Sequence, residues 1–281
     1  MRRFAALAIA LAMSVSVAGA RQAPLPADAP VRFAVIGDNG TGQPPQYDVA
    51  RQMLSAHAAF PFEFVVMLGD NMYGSQRPRD FFNKFEGPYG ALLRMNILFY
   101  AALGNHDEPS NRNYPGFNMG GQRYYSFARG DVRFFVFDTN LMDPKQVDWI
   151  DGALKQSMDQ WKIAIFHHPI YSDGDRHGPN IALRVLLEPI LVRYGVDVVF
   201  SGHEHVYERI KPQKGITYFV AGSGGQLRKG GLTPSGITAA GFDQDRAFVI
   251  VAIDGDQMSF QTISRTGTIV DAGVIARRGE S

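Results

Sequence analysis

Five segments of the chain end an apolar run in residues that can bind metal. They are VIGDNG (35–40), MLGDNMY (67–73), ALGNHD (102–107), IFHHP (165–169) and FSGHEHVYE (200–208). One Asp behind a strand is ordinarily a turn or cap residue, and one His is ordinarily hydrogen-bonded within a core. GNHD is harder to assign to packing, because Asn, His and Asp in a row after an apolar strand have little to bury. GHEH sets two His at i and i+2, where both can reach a metal cluster from an irregular loop. Together the segments offer carboxylate, amide and imidazole donors. That mixture suits iron, zinc or manganese rather than copper or an all-oxygen calcium cage. Two ions about 3.5–4 Å apart clamp the attacking and leaving oxygens of an in-line displacement. Such a pair needs a bridging carboxylate, for which Asp70 is the candidate. Asp38 and His205 would complete one ion's shell; Asn105, His167 and His203 would complete the other's.

This chemistry requires the five tips to converge. In open α/β sheets, ligands bind beyond the carboxyl ends of parallel strands. The apolar runs predict strands over 31–36, 62–68, 97–103, 162–166 and 196–200, unbroken enough to be buried on both faces. Paired strands are expected over 123–127 and 132–137, around the Arg129-Gly130-Asp131 turn. Helices are expected over 47–58, 79–95, 144–157 (with Pro144 at the first position) and 181–194. Further strands are expected over 215–221, 246–253, 256–264 and 268–275, those in the last fifty residues closing the second sheet. Alternating strand and helix followed by strands predicts an α/β fold, two mixed sheets face to face with helices outside, a four-layer α-β-β-α sandwich. No repeat or low-complexity segment is visible, and GSGG (222–225) reads as a plain loop or as backbone approaching the site.

Composition is that of a soluble globular protein, with 45% hydrophobic and 20% charged residues among 281. Arg2 and Arg3, the apolar Phe4 to Val17 and Ala18-Gly19-Ala20 have the layout of a secretory signal peptide over 1–20, cut after Ala20. The alternative is an uncleaved anchor. Residues 21–30 read as an Ala/Pro tether, and 31–281 as one domain. The leader takes two of the 28 basic residues, leaving 26 against 27 acidic ones. Neither nucleic acid nor a membrane surface is therefore an expected partner. Cysteine is absent, which excludes thiolate metal sites and cysteine nucleophiles. The mature protein is expected in the periplasm or outside the cell. Nothing in the sequence reports its oligomeric state.

The order DxG, GDxxY, GNHD, xxxH, GHxH resembles the calcineurin-like metallophosphoesterase superfamily, and within it the purple acid phosphatases of the small, mammalian type. Gly40 and Tyr73 carry that narrower likeness, which spans about residues 31–225. The resemblance implies the metallophosphoesterase fold and a phenolate ligand, Tyr73. It places Fe(III) at Asp38, Asp70, Tyr73 and His205, and a divalent Fe, Zn or Mn at Asp70, Asn105, His167 and His203. His106 matches the family's outer histidine and His177, in HGP (177–179), a second one. Either could donate a proton to the leaving alkoxide or stabilise transition-state charge. His168 reads as supporting a ligand, and Asp107 as orienting His106 or making a turn. Only Thr139 to Asp143 precede the helix where mammalian-type enzymes carry a long restraining loop, so an open site is expected.

The expected function is an acid phosphatase that hydrolyses small phosphomonoesters by direct attack of metal-bound hydroxide, without a phospho-enzyme. Two alternatives stand beside it. One is a phosphodiesterase on the same site, acting on cyclic nucleotides or phospholipid head groups. The other is a non-catalytic phosphate- or metal-binding protein of the envelope.

Overall fold

The computed structural model describes residues 25–279. The leader expected over 1–20 lies outside the described residues. Of the stretch read as a tether, 25–30 are described. Ala29 N–H donates to Pro26 O (3.3 Å) and Ala29 is buried, so this part is a turn folded onto the molecule and not an extended spacer.

In chain order the elements are β1 (Val31–Ile36), α1 (Pro44–Ala59), β2 (Phe64–Met67), α2 (Pro78–Phe81), a π-helical turn (Phe82–Glu86), α3 (Gly87–Arg94) and β3 (Leu98–Ala101). Then come β4 (Tyr125–Arg129), β5 (Val132–Val136), α4 (Pro144–Gln156), β6 (Trp161–Ile165), α5 (Ile181–Arg193), β7 (Val198–Ser201) and β8 (Tyr207–Gln213). The chain finishes with β9 (Ile216–Ala221), β10 (Thr238–Phe242), β11 (Ala247–Asp254), β12 (Gln257–Ser264) and β13 (Ile269–Ala276). Two 3-10 turns, Pro109–Asn113 and Pro115–Phe117, lie between β3 and β4.

One sheet has the order β13-β12-β11-β1-β2-β3 and the other β10-β8-β9-β7-β6-β5-β4. In the first, β1, β2 and β3 run parallel. In the second, β5, β6, β7 and β9 run parallel. Strand periodicity explains the layering. Val31, Phe33 and Val35 of β1 join Phe134, Ile163 and Phe200 in the apolar layer between the sheets. Ala34 and Ile36 point the other way, onto Val49 and Met53 of α1 and Leu92 of α3. On the far side Phe135, Ala164 and Val199 meet Ile150 of α4 and Leu187 of α5. The four-layer sandwich is therefore the observed fold.

Asp143 caps α4 by accepting from Gln146 N–H (2.9 Å), and Asn180 caps α5 by accepting from Leu183 N–H (3.0 Å). Two features differ from the sequence expectation. β11–β13 do not close the second sheet; β11 pairs antiparallel with β1 and extends the first. The apolar β11 is buried over Ala247–Ile253, which suits the middle of a sheet. β8 and β10 were not anticipated, because β8 is largely polar, β10 is a short run of small residues, and both are partly exposed. No helix among the described residues is long and apolar enough to cross a membrane.

Candidate metal centre

The parallel strands bring their carboxyl ends together, and each of the five segments turns at a candidate ligand. Asp38 follows β1, Asp70 follows β2, Asn105 follows β3, His167 follows β6 and His203 follows β7. Asp38, Asp70 and His203 hold left-handed backbone conformations, with φ of 54°, 53° and 70°. That region is costly for residues with a side chain and concentrates at functional sites. The crowding explains two glycines. A Cβ on Gly104 would lie 2.2 Å from both the backbone N and Oδ1 of Asp70, and one on Gly202 would lie 2.4 Å from Asp38 Oδ2.

All seven expected ligands meet, in two adjoining groups. On one side Asp38 Oδ1 accepts from Tyr73 Oη–H (3.1 Å) and lies 3.5 Å from His205 Nε2; Tyr73 Oη is 3.2 Å from that same nitrogen. On the other side His167 Nε2 is 3.0 Å from Asn105 Oδ1, 3.2 Å from His203 Nδ1 and 3.4 Å from Asp70 Oδ1. Asp38, Asp70 and His205 offer ligand atoms within 4.8 Å of one another, and so do His167, His168 and His203. His167 Nδ1 lies 2.9 Å from Leu68 O. A carbonyl only accepts, so Nδ1 carries the proton and Nε2 keeps its lone pair toward the cluster.

This donor set fits metal ions on electrostatic grounds. Asp38 and Asp70 are buried, and their only ion-pair partners among the described residues are histidines. Two adjacent buried carboxylates without a Lys or Arg favour another cation, since otherwise only protonation relieves their charge. Burial raises the Asp38 carboxyl above its ordinary range, and the Asp70 charge adds to it. Burial and then the neighbouring His167 push His203 down to about 2, so it stays a neutral donor. Burial works against protonation of His205, but the Asp38 carboxylate beside it holds its pKa above the ordinary value. Burial and the two carboxylates raise the Tyr73 phenol, so only a strongly charged cation would ionise it.

His106 and His177 flank the cluster. The His106 ring lies 4.7 Å from that of Tyr73, and the backbone N–H of His106 donates to Asp70 Oδ1 (2.9 Å). The His177 ring lies 4.1 Å from that of His203. His168 packs 4.5 Å from His203, with Nδ1 2.8 Å from Thr139 Oγ1, and burial pushes it down to about 4.

Asp107 does not contact the His106 ring through any observed bond. Its carboxylate instead accepts from the backbone N–H of Gly104 (2.9 Å), Asn71 (3.1 Å) and Met72 (2.9 Å) and from Asn71 Nδ2 (2.8 Å). It thereby ties the loop of Asp70 to that of Asn105, and burial pushes its carboxyl up to about 7. Two further groups escaped the sequence reading. Glu204, between His203 and His205, is buried and accepts from the N–H of His177 and of Gly178 (2.6 Å). Arg228 donates its backbone N–H to His205 O (2.9 Å), and its buried Nε has no partner among the described residues. Burial lowers the His177 pKa and the Arg228 charge adds slightly to that, while at His205 the same charge only partly opposes the rise caused by Asp38. The central position of Glu204 in GHEH was the available signal for the first; nothing local marked Arg228.

The model of the calcineurin-like phosphoesterase family matches residues 31–207. Purple acid phosphatase 3 of Arabidopsis thaliana is 32% identical over 246 residues, covering 74% of this chain and 67% of that one. Tartrate-resistant acid phosphatase type 5 of Rattus norvegicus is 24% identical over 298 residues, covering 88% of this chain and 91% of the relative. Among solved structures, the purple acid phosphatase PPD1 from yellow lupin (Lupinus luteus) seeds superposes with a TM-score of 0.68 at 19% identity, over 90% of this chain and 55% of that one. GAP50, the anchor in the inner membrane complex of Plasmodium, superposes with a TM-score of 0.78 at 19% identity, over 89% and 90% of the two chains. Both structural likenesses are of fold.

Proposed function

Because the chain belongs to the calcineurin-like phosphoesterase family, as a purple acid phosphatase-like, metal-dependent phosphoester hydrolase, we propose that it is an exported acid phosphatase with a two-metal centre acting on phosphomonoesters. Residues 31–281 act as one catalytic unit in this reading. Fe(III) is assigned to Asp38, Asp70, Tyr73 and His205, and a divalent Fe, Zn or Mn to Asp70, Asn105, His167 and His203. The observation that carries it is the pair of buried carboxylates meeting imidazole, amide and phenol donors with no Lys or Arg among the described residues to neutralise them. Bound ions would supply Lewis acidity at the phosphate and a nucleophile of lowered pKa.

The protein's own part is positioning. Leu68 O fixes the tautomer of His167, and His203 N–H fixes Asp38 Oδ2 (2.9 Å). His106 and His177, on two flanks, hydrogen-bond phosphate oxygens and return a proton to the departing alkoxide. Hydrolysis adds the water oxygen to phosphorus, breaks the ester P–O bond and releases alcohol and inorganic phosphate. Arg228, which makes no ion pair among the described residues, adds positive charge beside His205 and His177, where an anionic substrate gathers. The test is turnover of p-nitrophenyl phosphate against its bis-ester across pH. Faster monoester hydrolysis at acidic pH supports the reading. Preference for the bis-ester favours a phosphodiesterase, and no turnover of either favours a binding protein.

A further inference from the structure

Directly beside the metal centre lies a groove of about 700 Å³, lined at its inner end by Asn105 and His168. Pro109 and Leu141 give it an apolar surface, Leu103 lies buried beneath it, and Arg112 stands on its wall. The volume falls in the range of small-molecule sites. The groove exists because the segment between β5 and α4 is short and pinned flat. Asn140 Nδ2 donates to Leu103 O and Gly104 O (both 3.2 Å), which holds this segment against the loop that carries Asn105. Gln146 Nε2 donates to Asp138 O and Leu141 O (both 2.9 Å), which fixes its backbone to α4. The walls are therefore preformed.

The charges around the groove are unevenly satisfied. Asp138 is paired with Arg123 (2.9 Å), and Asp107 is absorbed by the backbone N–H groups described above. Arg112 donates one N–H to Pro109 O (2.9 Å) and makes no ion pair among the described residues. Leu141 is 56% exposed, an apolar side chain facing solvent beside a catalytic cluster. Asn105 joins groove to site, since its Oδ1 also lies 3.0 Å from His167 Nε2.

We propose that this groove is the leaving-group subsite, and that the preferred substrates are phosphomonoesters of bulky, partly apolar alcohols of aryl size. The assignment rests on the phosphatase reading above. A phosphate at the metal centre would direct its ester oxygen past Asn105, so that a ring lies on Pro109 and Leu141 with a polar substituent facing Arg112. Small alkyl alcohols do not reach these surfaces.

The experiment compares 2-naphthyl phosphate with glycerol 2-phosphate in wild type, Leu141→Trp and Leu141→Ala. Exposure of Leu141 lets both substitutions fold. Leu141→Trp, which fills the groove, lowers kcat/KM for the naphthyl ester roughly tenfold or more through KM, and leaves the glycerol ester within about twofold. Leu141→Ala gives a smaller loss of the same selectivity. Equal effects on both esters, or none on the naphthyl ester, overturn the subsite. A second readout needs no turnover: binding of 2-naphthol to metal-free protein, followed by the naphthol's own fluorescence, is saturable in wild type and lost in Leu141→Trp. If naphthol binds in this way but neither ester is hydrolysed, the phosphatase reading fails and the substrate assignment with it. Hydrolysis without naphthol binding overturns the groove alone.

Discussion

Removing the Asp107 carboxylate should unfasten at once two loops that carry proposed metal ligands, and the cost can be worked from its partners. In Asp107→Ala the backbone N–H groups of Asn71, Met72 and Gly104 lose the only acceptor the structure gives them. All three residues are buried. Asn71 Nδ2 keeps Ala102 O (2.7 Å), so it is not orphaned. An unsatisfied buried donor costs about 1–3 kcal/mol, giving roughly 3–9 kcal/mol for the three. Water entering the vacated space reduces this toward the lower end, about 3–5 kcal/mol. Against a total of roughly 5–15 kcal/mol the variant is severely weakened. Asp107→Asn keeps one oxygen for Gly104 and Asn71 but turns an amide N–H toward that of Met72, a loss of about 1–3 kcal/mol. The assay is urea unfolding at about pH 8, above the value to which burial pushes this carboxyl. A loss below about 1 kcal/mol in Asp107→Ala would refute the idea that this carboxylate is what joins the loops.

Four further outcomes are expected. Glu204→Ala releases the His177 loop and lowers kcat about tenfold or more; metal content stays at the wild-type level, and adding His177→Ala costs little more because both act through one group. Gly104→Ala drives a methyl against Asp70, 2.2 Å away before relaxation, so activity and metal content both fall while the secondary structure seen by circular dichroism persists. Tyr73→Phe removes a visible tyrosinate-to-iron absorption present in the wild-type protein; an absorption that survives the change would contradict the Fe(III) assignment. Asp143→Asn bears on acid stability. The N–H of Gln146 is the largest influence holding the Asp143 pKa below its ordinary value. A depressed folded pKa means stability present above about pH 4 and lost as pH falls through the folded value. The Asn variant should still cap α4, but its unfolding midpoint should fall less steeply over that acid range than wild type's.

The candidate site residues were legible because each stands where an apolar run ends, a pattern set by buried parallel strands. Asp38, Asp70, Asn105, His167 and His203 could all be placed from that rule. Tyr73 and His177 needed a family resemblance, since a lone aromatic or histidine in a loop has many uses. Glu204, Arg228 and Asp107 act through backbone N–H groups or as an unpaired charge, and no side-chain pattern encodes such partners. Sheet membership of β11–β13 was misread because an apolar run predicts burial but not which neighbour it pairs with. β8 escaped because Glu208 and Arg209 break its alternation; Glu208 is buried and accepts from Ser172 Oγ (3.0 Å), while Arg209 Nε donates to Asp271 (2.7 Å), pairings that form only after folding.

Counting metal ions per chain in purified wild type and Asp70→Ala tests the central claim most directly. Asp70 is the one carboxylate assigned to both ions. Two ions per wild-type chain, with loss of both ions and of phosphatase turnover in the variant, is the expected result. A wild-type chain that turns over phosphate esters without bound metal, or a variant that keeps two ions and full activity, would contradict it.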